Sequence, residues 1–153
     1  MEFRILMTAN ELDQILVKLC GLVISKQKED PDQFGFVAAA VIDSSKRIIA
    51  RTSSKVGNKW SHAERNAINR YESLYGDIPP GSIVVTTLTP CNEHMRDRYK
   101  ASCTDLINRT GIDKVYCGYL DPSQDDPHAE FDQVVTKNKK IQELCKQFAD
   151  TFL

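Results

Sequence analysis

Along this chain the spacing of hydrophobic positions changes several times, and each change marks an element. Leu12, Ile15, Leu16, Leu19 and Val23 recur at helical spacing behind Thr8-x-x-Glu11, a capping box that opens a first helix. That helix fades in the charged stretch Lys26 to Asp32, where Pro31 ends it. Phe34 to Ile42 is nearly continuous in its apolar character, as expected of a strand covered on both faces. Asp43 to Lys46 reads as a turn, Arg47 to Ala50 as the paired second strand, and Arg51 to Trp60 as a loop. A second helix starts near Ser61, runs through Ala67, Ile68 and Tyr71, and is broken between Gly76 and Gly81 by Pro79 and Pro80. Ile83 to Leu88 is a β-branched strand that ends in Thr89-Pro90-Cys91. After the polar loop Asn92 to Ser102 comes a third helix, Cys103 to Arg109, capped by Ser102 and closed by Gly111. Lys114 to Leu120 is a further strand and Lys139 to Phe152 the last helix, with an acidic loop and a stretch of no clear period between them. The order α-β-β-α-β-α-β-α predicts an α/β fold, one three-layer α/β/α sandwich spanning residues 1–153.

Composition narrows the setting. Apolar residues make up 41% and charged residues 27%, ordinary proportions for a soluble chain. No apolar run approaches the roughly 20 residues that span a bilayer, and Met1-Glu2-Phe3-Arg4 does not open a secretory signal. A cytoplasmic protein with no membrane partner is the expectation. With 20 basic and 21 acidic residues, the net charge of -1 lacks the basic excess of proteins that grip duplex DNA. Five cysteines, an odd number without a signal, argue against a disulfide framework. Cys20, Cys117 and Cys145 fall in apolar or helical patterns and are expected in the core. Cys91 and Cys103 sit in polar surroundings and need another account.

That account is chemical. His62-Ala63-Glu64 stands at the start of a helix, Thr89-Pro90-Cys91 at the end of a strand, and Cys103 at the start of the next helix. A catalytic zinc takes three protein ligands and keeps one position open for water. One imidazole and two thiolates meet that need, and helix N-termini favour the thiolate form. A carboxylate two residues after the histidine suits a proton carrier beside the metal. Each piece alone has a plainer reading: Ser61 to Glu64 is itself a capping-box pattern, His62 a surface histidine, Thr-Pro-Cys an ordinary turn. The conjunction at three element boundaries is what carries weight.

With those residues in view, the chain resembles the zinc nucleoside and nucleobase deaminases, whose signature is H-x-E followed by P-C-x-x-C. The resemblance covers roughly residues 8 to 122 and implies a cytidine deaminase-like sandwich with a mixed central sheet. It implies zinc held by His62, Cys91 and Cys103, with Glu64 as the catalytic acid and base. The reaction implied is hydrolytic: an amino group on a nucleobase-like ring is replaced by a carbonyl, and ammonia leaves. The Thr89 carbonyl and the Pro90 turn would hold the amino group. Family resemblance also implies a homo-oligomer, a dimer or tetramer.

The cysteine spacing departs from the signature. Eleven residues separate Cys91 from Cys103, and His94 stands where the second cysteine of a C-x-x-C pair would fall. Cys103 is the preferred ligand because it opens the helix that ends at Gly111 and feeds the Lys114 strand; His94 is the alternative. The branch acting on the pyrimidine intermediate of riboflavin synthesis is similar in its long histidine-bearing insert and in Asp121-Pro122 after the following strand. Its Pro-Asn-Pro and Arg-Thr-Pro-Pro segments are absent here, which leaves the specific substrate open.

Asn58, Trp60, Ala63, Thr89, Pro90, His94, Arg96 and Arg98 are the candidate substrate contacts, the last three on a loop anchored by proposed ligands. Two rivals remain at this point. One is a deaminase of bases in single-stranded DNA or RNA, served by Arg51, Lys55, Lys59 and the Arg96 to Lys100 loop. The other is an inert domain with structural zinc, closed by His94 as a fourth ligand. A second tripeptide, His128-Ala129-Glu130, has no strand-Pro-Cys partner and is expected at the surface.

Overall fold

A computed structural model describes residues 7–33, 35–56, 59–90, 102–120 and 129–150. Eleven elements follow in chain order: α1 (Ala9–Glu29), β1 (Ala38–Ile42), β2 (Ile48–Thr52), β3 (Ser54–Val56), β4 (Lys59–Ser61), α2 (Ala63–Tyr75), β5 (Ser82–Leu88), α3 (Cys103–Asn108), β6 (Ile112–Tyr119), β7 (Asp132–Val135) and α4 (Lys139–Asp150). The expected capping box is present: Glu11 N–H donates to Thr8 Oγ1 at 3.1 Å, and Thr8 N–H donates to Glu11 Oε1 at 3.2 Å.

Five strands form one sheet in the order β2-β1-β5-β6-β7. β1 is antiparallel to both β2 and β5, whereas β6 is parallel to β5 and β7, so the sheet is mixed. β1 is buried at all five positions, as its unbroken apolar run predicts. Alternation along the strands divides the core in two. Ala38, Ala40, Ile42, Ile83, Val85 and Tyr116 face α1 and α4. Val41, Val84, Val115 and Cys117 pack with Ala67, Ile68 and Tyr71 of α2 and Ile107 of α3. Helices thus cover both faces, the α/β/α arrangement expected from the sequence.

Three strands were not expected. β3 and β4 pair as a short antiparallel hairpin within the stretch read as a loop. β7 forms in the stretch without clear period and extends the sheet beyond β6. Gly111 also has a different role from the helix stop assigned to it. The helix is capped at Arg109 in ordinary right-handed backbone, and a Cβ on Gly111 would lie 2.5 Å from the Ile78 carbonyl oxygen. Close approach of the segment before β5 demands the glycine, not a left-handed turn.

Cys20, Cys117 and Cys145 are all buried, as expected. Of the second His-Ala-Glu tripeptide, Glu130 is exposed and Ala129 half-buried, while His128 lies outside the described residues. No helix among the described residues is long and apolar enough to cross a membrane.

Candidate active site

The site forms beyond the carboxyl end of β5, where the parallel pair β5 and β6 is joined through α3, a usual place for ligands in α/β sheets. Helix α2 begins at Ala63 with His62 as its N-cap, in extended backbone and without a side-chain cap bond. The capping-box reading of Ser61 and Glu64 therefore fails. The Ser61 hydroxyl is engaged elsewhere, donating to Asn66 Oδ1 at 2.5 Å. Asn66 in turn donates through Nδ2 to the Thr52 carbonyl at 3.0 Å and, more distantly, to Ser54 Oγ and the Ser61 carbonyl at 3.3 Å. One side chain thus ties both strands of the β3–β4 hairpin to the first turn of α2. The histidine that follows the hairpin is placed by that tie.

Cys103 is the first residue of α3 and fully buried, behind Ser102, whose hydroxyl accepts from Asp105 N–H at 3.0 Å. His62 Nδ1 lies 3.4 Å from Cys103 Sγ. Donor atoms of His62, Glu64 and Cys103 all fall within 4.8 Å of one another. The structure therefore brings together three of the four residues expected at the metal. Cys91, the fourth, lies outside the described residues, as do Asn58, His94, Arg96 and Arg98, and the Trp60 side chain.

The donor set suits zinc. Tetrahedral bonds of about 2.0 Å to nitrogen and 2.3 Å to sulfur place two such ligands about 3.5 Å apart, close to the separation of Nδ1 and Sγ. Nitrogen and sulfur together are also the pair this ion prefers over magnesium or calcium.

Glu64 is 4% exposed. Burial of a carboxylate requires polar partners, and Thr86 of β5 donates its hydroxyl to Glu64 Oε1 at 3.1 Å. Beside Thr86 in the sheet register stand Ala39 and Cys117, small side chains that let the carboxylate come down to the strands. Burial pushes the Cys117 thiol up to about 12, and the nearby Glu64 charge adds to the effect, so a neutral thiol lies under the site. Thr86 and Asn66 were absent from the sequence-based site. A polar residue on a strand position facing apolar neighbours, Val84 before it on the same face, was the signal for Thr86.

Among the other expected contacts, Ala63 is fully buried at the head of α2. Thr89 and Pro90 are buried at the exit of β5, where Thr89 donates both its N–H and its hydroxyl to the Tyr119 carbonyl at 3.1 Å. Strand β5 is thereby pinned to β6 just before the position of Cys91.

A match to the family described as the cytidine and deoxycytidylate deaminase zinc-binding region covers residues 10–119. The chain belongs to that family. This deaminase domain is 31% identical over 97 residues to the diaminohydroxyphosphoribosylamino-pyrimidine deaminase of Schizosaccharomyces pombe, which takes in 63% of the chain but only 24% of that protein. Among solved structures, it is similar to the diaminohydroxyphosphoribosylaminopyrimidine deaminase/5-amino-6-(5-phosphoribosylamino)uracil reductase of Thermotoga maritima. That match has a TM-score of 0.60 and 23% identity, over 86% of the chain and 40% of the other. It is also similar to the dCMP deaminase of cyanophage S-TIM5 (TM-score 0.54, 16% identity, over 80% of the chain and 97% of the phage enzyme). The domain spans well under half the length of the first two. At these identities the structural likenesses speak for the fold, a mixed sheet of the cytidine deaminase kind. Family membership rests on the sequence match, which covers the greater part of the chain.

Proposed function

We propose that the chain hydrolyses the amino group of a pyrimidine-like ring, releasing ammonia and leaving a carbonyl, with His62, Cys103 and Cys91 as zinc ligands and Glu64 as proton carrier. One observation carries the reading: a buried carboxylate sits within 4.8 Å of an imidazole nitrogen and a thiol sulfur at the end of β5. Zinc held by those residues would supply a Lewis acid that makes water nucleophilic near neutral pH. Glu64 takes the proton that water gives up and passes it to the ring nitrogen beside the amino-bearing carbon. It then carries the second proton to the departing amine, so that base and acid are one group. Burial of Glu64, Ala63 and Thr89 excludes bulk water from these transfers. The Thr89 carbonyl, held at the strand exit, accepts a hydrogen bond from the amino group.

The substrate we favour is a diaminohydroxyphosphoribosylaminopyrimidine, on the strength of the Schizosaccharomyces relative, with Arg96 and Arg98 engaging the phosphate. The test is ammonia release by zinc-loaded protein from that compound, dCMP, cytidine, cytosine and a deoxycytidine oligonucleotide, with Glu64→Gln as the blank. Release from the phosphorylated diaminopyrimidine above all others is the expected result. Release from dCMP or from the oligonucleotide alone would keep the chemistry and replace the substrate. Equal rates for wild type and Glu64→Gln would reject the chemistry.

A further inference from the structure

We infer that Thr86 is the positioning residue of this deaminase, a hydroxyl that fixes the Glu64 carboxylate on the sheet side of the site; the inference rests on the function proposed above. Strand β5 alternates between the two faces of the sheet, so Val84 and Thr86 point to the same side, towards α2. Val84 and its neighbours in that layer are apolar. Thr86 is fully buried and breaks the pattern at the level where Glu64 descends from the helix.

A hydroxyl carries one proton and two lone pairs. Thr86 Oγ1 has two acceptors within reach, Glu64 Oε1 at 3.1 Å and the Leu88 carbonyl at 2.9 Å, and it accepts from Leu88 N–H at 3.3 Å. Donation to Glu64 serves the carboxylate. The Leu88 N–H and carbonyl hold the oxygen at a fixed height beside Glu64 Oε1. The backbone contact is also local, so the hydroxyl is held by β5 itself and does not depend on the filling of the site.

The test compares Thr86→Val and Thr86→Ser with wild type, reading kcat and KM for whichever pyrimidine the wild type deaminates, zinc per chain, and the Glu64 side chain in crystals. In Thr86→Val, kcat is expected to fall about tenfold to a hundredfold, the worth of one hydrogen bond to a charged group, with KM within about twofold and zinc retained. Thr86→Ser restores kcat to within about threefold, and the Glu64 rotamer changes in the valine variant alone. If the valine variant does not fold, Thr86→Ala takes its place, since it removes the hydroxyl without adding a methyl against the carboxylate. An unchanged Glu64 rotamer without the hydroxyl overturns the inference, as does a serine variant as impaired as the valine one, or a loss confined to KM. A wild type that releases no ammonia would reject the proposed function, while a Glu64 that moves in Thr86→Val would still support the positioning.

Discussion

On the α1–α4 face of the sheet, Leu12, Leu16 and Leu19 meet Ala38, Ala40 and Val85, and the polar groups there serve the fold: the buried Thr87 hydroxyl accepts from Ala38 N–H, and Asp13 accepts from the Tyr116 and Thr136 hydroxyls. Cys20 and Cys145 close this layer, their sulfurs 3.6 Å apart between the two helices. The opposite face starts in the same way, with Val41, Val84 and Val115 under α2, but turns polar along β5 at Thr86, then reaches Glu64, His62 and Cys103. Both faces are drawn from alternate residues of the same strands. One layer uses its polar groups to join strands and helices, whereas the other gives up part of its core to keep a buried carboxylate and a buried thiol beside a half-buried imidazole. Burying such groups is unfavourable unless each is paired, so the polar end is also where hydrogen bonds concentrate.

Substitutions can separate the two layers. The largest effect is expected at Glu64→Gln, which should lower ammonia release by about 10²–10⁴-fold without shifting the unfolding midpoint by more than a small amount. Leu16→Ala on the other face should do the reverse, costing about 2–5 kcal/mol in denaturant unfolding while leaving kcat per folded molecule intact. A loss of kcat without loss of stability at Leu16 would mean the layers are coupled. Gly118→Ala comes next, because a Cβ there would run into Cys145 Sγ; overpacking of this kind costs about 1–3 kcal/mol, read as a fall in midpoint.

The smallest effect is expected at the far end of the α2 layer. Tyr71 OH and Arg47 Nε each donate to Asp43 Oδ2 at 2.7 Å. Burial alone would raise the Asp43 pKa, but the bonds from Tyr71 and Arg47 outweigh it and hold the carboxyl below its ordinary range. A depressed folded pKa gives stability that is complete above the unfolded value of about 3.9 and is lost as pH falls through the folded value. Tyr71→Phe should therefore cost about 1–2 kcal/mol near neutral pH and flatten the acid limb of the stability profile. An unaltered acid limb would show that Tyr71 does not hold this carboxylate.

The two layers also differ in how openly the sequence announced them. α1 was legible because a capping box and an apolar stripe at helical spacing point to one face, and β1 because a short, nearly continuous apolar run ends at a turn, although its start was read at Phe34, four residues before Ala38. The β3–β4 hairpin was not, since strands of three residues, polar in Ser54, Lys55, Lys59 and Ser61, show no alternation. β7 was missed for a related reason: at the sheet edge it buries little, and four residues are too few to set a period. In the candidate site, that His62, Glu64 and Cys103 would come together was legible from their places at element boundaries. The capping alternative for Glu64 could not be dismissed without knowing that His62, and not Ser61, is the N-cap of α2. Thr86 was hidden because threonine is a common strand residue, and its use depends on the height at which α2 crosses β5.

The division of labour at the site turns on whether Glu64 moves protons or binds metal, because its carboxylate lies within 4.8 Å of the His62 and Cys103 donor atoms. Zinc per chain, measured after exhaustive dialysis of wild type, Glu64→Gln, His62→Ala and Cys103→Ala, decides it. About one zinc per chain is expected in wild type and in Glu64→Gln, with loss of the metal in the other two. Loss from Glu64→Gln equal to that from His62→Ala would make the carboxylate a ligand and contradict its role as proton carrier.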